Sequence, residues 1–209
     1  MSDAAALREP WPDLQRQREG VTVGIWLFIA SEVLFFGALF LGYTVYRTLY
    51  PEAFRIAAAE TNVLYGSVNL LLLLTSSAAM TIAVDASQQE KRRTTLVCLG
   101  LTMLLGTGFL LVKGLEYSDD IAKGLFPGPH FPLQPPQTQL FWAFYWVMTG
   151  VHAIHLATGI GVVGVFAFIL WRRLLPLGSP AIVGVATYWH FVDTVWIILF
   201  PLLYLVDRS

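Results

Sequence analysis

The stretch YWHFVDTVWIILFPLLYLV, Tyr188 to Val206, decides how the rest of the chain is read. As a helix its 19 residues, rising about 1.5 Å each, roughly match a hydrocarbon core of about 30 Å. Yet its first half carries His190 and Asp193, three residues apart and therefore on one helix face. A carboxylate near mid-membrane costs on the order of 2.5–3.5 kcal/mol on the mildest insertion scale. The face bearing these two groups is expected to turn inward, toward other helices or another subunit.

Composition places the other segments in the same solvent. Of 209 residues, 56% are hydrophobic and 13% charged, about half the charged fraction of soluble proteins. Mean hydropathy is +0.63. The net charge of −1 says nothing about partners, and there is no basic block to suggest nucleic acid. The single cysteine, Cys98, cannot form an intrachain disulfide. Five apolar segments follow one another, at about Thr22–Tyr46, Val63–Val84, Thr94–Leu115, Leu140–Trp171 and Ala181–Val206. None alternates with period two, so the expected fold is an all-α integral membrane bundle of five transmembrane helices. Residues 1–21 hold Arg8, Arg16 and Arg18 without an apolar core, and are expected to be a polar cytoplasmic tail, not a cleavable signal.

Lys and Arg set the expected orientation. The N-terminal tail, the Lys91–Arg93 connection and Arg172–Arg173 fall on one side with eight such residues, against five on the other. This puts the N-terminus in the cytoplasm and the C-terminus outside. The longest connection, Glu116 to Gln139, contains five prolines and is expected to be an extended outer loop. Lys113, near its start, is expected to snorkel outward.

Of the 27 charged residues, only Glu32 and Asp193 are expected deep inside spans, joined by His152, His155 and His190. Counted from the inner helix ends, Glu32, His190 and Asp193 lie at roughly 15 Å, with His155 close to the same layer. They form a candidate buried polar network. On the fourth span, Ala153, Ala157 and Gly161 make a small-residue stripe suited to close helix packing, almost opposite His152 and His155. The i, i+3 histidines could instead converge on a metal ion with Glu32, as in a metal-binding membrane enzyme. No CxxCH, cysteine cluster or Glu-x-x-His pair accompanies them.

The segments GIWLFIASEVLFFGALFLGYTVY around Glu32, NLLLLLTSSAAMTIAV from Asn69, KGLEYSDDIAKGLFPG from Lys113, FYWVMTGVHAIHLATGIG from Phe144 and YWHFVDTVWIILFPLLYL from Tyr188 together resemble subunit III of the haem–copper terminal oxidases. The likeness runs from about Gly24 to Leu205. It implies a non-catalytic subunit of a proton-pumping, oxygen-reducing complex in a bacterial inner membrane. Such a subunit has no cofactor of its own. Haem and copper reside on partner subunits, and it packs beside the catalytic subunit I, with subunit II, smaller subunits and phospholipid as further partners.

By the same resemblance Glu32 is the family's buried carboxylate, while His155, His190 and Asp193 belong to its polar network; desolvation is expected to leave Glu32 protonated or hydrogen-bonded. Glu116 is the carboxylate at the outer end of the third span. Arg172 or Arg173, with Trp26 and Glu32, would contact lipid. The subunit-III-like proteins associated with nitric oxide reductases share the fold and form an alternative. Many family members have seven helices, with a lipid cleft between the first two and the rest. This chain starts at what would be the third, so that cleft is absent, open to bulk lipid, or completed by another subunit.

Overall fold

The computed structural model describes residues 14–129 and 131–206, and every regular element among them is helical. In chain order these are α1 (Leu14–Leu49), α2 (Pro51–Ala59), α3 (Val63–Gln88), α4 (Arg92–Ala122), α5 (Thr138–Trp171) and α6 (Ala181–Tyr204). All except α2 are long and apolar enough to cross a membrane. Leu34, Leu104, Leu111 and Ile154 point outward, as side chains facing hydrocarbon would.

The α6 helix is the most enclosed: half of its most apolar stretch is buried, against 11% for α1. It packs on α3, α5 and α1, and α3 with α4 forms the most extensive helix pair. This places the YWHFVD segment at the centre of the bundle. Trp189 fills the junction, donating from Nε1 to Ser76 Oγ of α3 at 3.1 Å. Its ring lies against two glycines that make room for it. A Cβ on Gly106 of α4 would come within 2.8 Å of the indole, and one on Gly159 of α5 within 3.4 Å.

The small residues that matter on α5 are therefore not those of the expected stripe. Ala157 and Gly161 are exposed, and a Cβ on Gly161 would meet nothing within 4 Å. The tightly packed face is the one bearing His152, Leu156, Gly159 and Val163. Within this chain, the stripe of Ala153, Ala157 and Gly161 does not supply the close packing expected of it.

Helix ends differ from the expected limits for local reasons. The α1 helix begins at Leu14, so residues 14–21 of the polar tail continue the helix; Arg8 lies outside the described residues. Pro51 cannot donate an amide and pushes Tyr50 out of helical geometry, with φ −131° and ψ 58°, which ends α1 and starts α2. The short α2 buries Ala53, Phe54, Ala57 and Ala58, and the Phe54 ring meets Tyr43 and Phe141 edge-on.

The α4 helix runs seven residues beyond the expected span, to Ala122. Residues 116–122 are thus helical, and the proline-rich connection begins only after Ala122. Pro201 lies inside α6, and carbonyls just beyond it find side-chain donors: Tyr43 Oη to Leu202 O at 2.6 Å, and Thr61 Oγ1 to Leu203 O at 3.4 Å. At the opposite end Arg92 Nη2 donates to the last carbonyls of α5, those of Leu170 and Trp171.

Candidate functional site: the intramembrane polar groups

The α1 and α5 helices meet through Glu32 and His155, whose Oε2 and Nε2 are 2.9 Å apart. The other ring nitrogen, Nδ1, is 2.9 Å from the Val151 carbonyl, an acceptor only, so Nδ1 must carry hydrogen. One further hydrogen must then lie between Nε2 and the carboxyl group. Whichever atom owns it, the pair as a whole is neutral, which suits a site that is about four-fifths buried. Phe35 and Phe36 flank the imidazole, and Tyr188 Oη donates to the His155 carbonyl at 2.9 Å.

His152 goes elsewhere. It is fully buried, with its ring against Phe109 and Trp196 at centroid distances of 5.4 and 5.1 Å, and neither nitrogen has a hydrogen-bond partner among the described residues. The two histidines therefore diverge, and the constellation of Glu32, His152 and His155 on one metal ion does not form. Among the described residues no three His, Cys, Asp or Glu side chains are grouped so as to hold a metal. Since its nitrogens gain nothing from the fold, His152→Leu is expected to leave stability unchanged or raise it by about 1–2 kcal/mol. Unfolding the purified chain in mixed micelles measures this; a large loss would assign His152 a partner.

The remaining members, His190 and Asp193, lie at Ser77 of α3, away from the Glu32–His155 pair. His190 Nδ1 pairs with Ser77 Oγ of α3 at 2.8 Å, beside a cleft of about 320 Å³ whose lining includes Thr81, Asp85, Gln88 and Thr187. Asp193 is buried, and neither carboxylate oxygen makes a well-formed hydrogen bond. The attachments they make are local: α1 to α5 through Glu32, and α3 to α6 through His190.

The largest charged cluster is one that spacing and hydropathy do not assemble. Lys113 is 2% exposed and does not snorkel. Its Nζ donates to Glu116 Oε2 at 3.0 Å, to Tyr145 Oη at 2.9 Å and to Tyr204 Oη at 2.7 Å, using all three hydrogens. The Tyr145 ring lies 4.4 Å from the ammonium and the Tyr117 ring 4.8 Å. Glu116 is 1% exposed, and Asp120, one turn further along the same face, is also buried. Lys113, Glu116 and Asp120 thus join Glu32 and Asp193 as ionisable groups inside the bundle. The missed signal is positional: residues 113, 116 and 120 share a helix face only because α4 continues through them.

The residues expected at lipid lie far apart. Arg172 and Arg173 are exposed at the end of α5, with the Arg172 guanidinium 6.0 Å from the Phe168 and Trp171 rings. Arg92 reaches the same helix end. His155, which fixes Glu32, lies 17 residues before Arg172 on α5, about 25 Å by helical rise. Glu32 and the arginines therefore cannot share one headgroup. Trp26 is 62% exposed on α1. Outside the spans, the Arg55 guanidinium beside Glu52 holds that carboxyl below its ordinary range.

Comparison with known proteins adds to this geometry. The family model described as cytochrome c oxidase subunit III matches residues 14–207. Cytochrome c oxidase subunit 3 of Thermostichus vulcanus is 31% identical over 191 residues, covering 89% of this chain and 87% of that protein. Quinol oxidase subunit 3 of Bacillus spizizenii is 29% identical, covering 88% and 86%. The heme-copper oxidase subunit I+III of Aeropyrum pernix is 29% identical over 206 residues, covering 95% of this chain and 24% of that longer protein.

Proposed function

The chain belongs to the cytochrome c oxidase subunit III family, and from that premise we propose that it is the accessory subunit III of an oxygen-reducing terminal oxidase. The match across residues 14–207, which takes in all five long helices, carries this reading. In it the chain supplies no redox centre. Haem and copper belong to its partners, and the buried groups attach helices to one another, as Glu32 attaches α1 to α5. Subunit I is the principal partner; the Aeropyrum pernix relative, named as subunit I+III, supports that pairing. Subunit II and smaller subunits complete the assembly.

The same reading puts the chain in a bacterial inner membrane, with the N-terminus cytoplasmic. Arg92, Arg172 and Arg173 then form a cationic rim on the cytoplasmic side, beside the aromatic Trp171, suited to a phospholipid phosphate. The subunit's contribution is to stabilise subunit I, hold lipid against it and sustain its proton uptake.

Extraction of the full chain from its membrane in mild detergent tests this. A haem–copper subunit I should accompany it in stoichiometric amount, and the complex should consume oxygen. Stoichiometric iron or copper on the isolated chain, or a nitric oxide reductase core travelling with it instead, would overturn the assignment.

A further inference from the structure

The hydroxyl of Tyr145 lies 3.0 Å from Glu116 Oε1 and 2.9 Å from Asp120 Oδ2, and it also accepts from Lys113 Nζ at 2.9 Å. A phenol has one hydrogen to give. It can satisfy one of these carboxylates, and the other is then an oxygen facing an oxygen at hydrogen-bond distance with nothing between. Lys113 cannot supply the missing hydrogen, because its three are directed at Glu116 Oε2, Tyr145 Oη and Tyr204 Oη. Deprotonating Lys113 would not help either, since Tyr145 would still have one hydrogen for two carboxylates.

We infer that Glu116 and Asp120 bind one proton between them through Tyr145, making the α4–α5–α6 cluster a buried proton-holding site. The proton sits on one carboxyl, which donates to the Tyr145 oxygen, while Tyr145 donates to the other. The charges then close: one ammonium, one carboxylate and one carboxylic acid are neutral together, as burial of all three side chains requires.

The groups facing the pair are Lys113 and Tyr117 from α4, Tyr145 from α5 and Tyr204 from α6, with Lys123 just beyond the end of α4 acting on Asp120. On the α3 side Tyr65 Oη donates to Asp119 Oδ2 at 2.9 Å, on the exposed side of the same turn. This leaves Asp119 as the rim neighbour of the buried pair. The site is distinct from the Glu32–His155 pair and does not depend on which catalytic subunit the chain accompanies.

Infrared spectroscopy of the full-length chain in lipid tests the proton directly. The protonated-carboxyl band of the site should be lost in Glu116→Gln and equally in Asp120→Asn. In either variant the Tyr145 hydrogen serves the one remaining carboxylate, which Lys113 balances. Lys113→Met should have the opposite effect and add a second protonated-carboxyl equivalent, because both acids then lack a cation. Should a variant fail to fold, the intact chain carrying carboxyl-¹³C-labelled Asp, then labelled Glu, should still give an isotope-shifted acid band with one label or divided between the two, surviving Asp193→Asn in the first case and Glu32→Gln in the second. A chain with no acid band from Glu116 or Asp120 by either route would show that both are ionised and overturn the inference.

Discussion

Lys113→Met is expected to destabilise the folded chain by about 3–5 kcal/mol in mixed-micelle unfolding, the loss typical of removing one partner from a buried ion pair. The size reflects the groups left behind. Glu116 and Asp120 stay enclosed, Tyr145 and Tyr204 each lose a donor, and the aromatic rings around the ammonium lose the cation they face. A snorkelling lysine with its head in water would give a different result, because exposed ion pairs contribute about 0–1 kcal/mol. The magnitude therefore decides between the two positions for this side chain. The double variant Lys113→Met with Glu116→Gln should recover most of the loss, since one carboxyl retaining a proton needs no cation. Failure of the second substitution to restore stability would mean that Lys113 acts through packing and not through charge.

The burial of Lys113 shows what a linear reading of a membrane protein can reach. Hydropathy locates all five long helices, because segment length and apolar content are local properties measured against a fixed bilayer thickness. It also marks α6 as central, since Asp193 cannot face lipid. Helix ends are set by capping, turns and partners, which hydropathy does not see. An outer loop starting at Glu116 is expected from the sequence, whereas α4 continues to Ala122, and that difference hides the Lys113–Glu116–Asp120 face. The amphipathic α2 escapes the same reading because nine residues are too few to register as a span.

Partner choice is harder still. The depth estimate puts Glu32 and His155 in about the same layer but does not name them as partners, and their side chains are 2.9 Å apart. It cannot tell that His152, one turn away, rotates toward Phe109 and Trp196. Nor can it tell that Gly159 packs against Trp189 while Gly161, on the more regular stripe with Ala153 and Ala157, has open space around it. Spacing gives the face on which a residue lies; which face meets a neighbour depends on the other helices.

Glu32→Ala is expected to cost about 1–3 kcal/mol, because it strands His155 Nε2 between Phe35 and Phe36 without the partner it has among the described residues. The consequence should fall on α1. This helix packs on α5 and α6 and is the least enclosed of the five, so the Glu32–His155 bond, with that of Tyr43 Oη to the Leu202 carbonyl, helps to fix it. Glu32→Gln, which can still bond to Nε2 through its amide, should retain roughly half or more of the stability lost in Glu32→Ala. The double variant Glu32→Ala with His155→Leu removes both ends of the bond. It should therefore be less destabilised than the sum of the single changes, with a coupling of about 0.5–3 kcal/mol. Within the oxidase assembly proposed for this chain, the haem spectra should be unchanged in Glu32→Ala while assembly yield and turnover lifetime fall. A lost haem or copper signal with undisturbed assembly would instead make Glu32 a ligand. Additive losses in the double variant would mean that the Glu32–His155 bond contributes nothing to the attachment of α1.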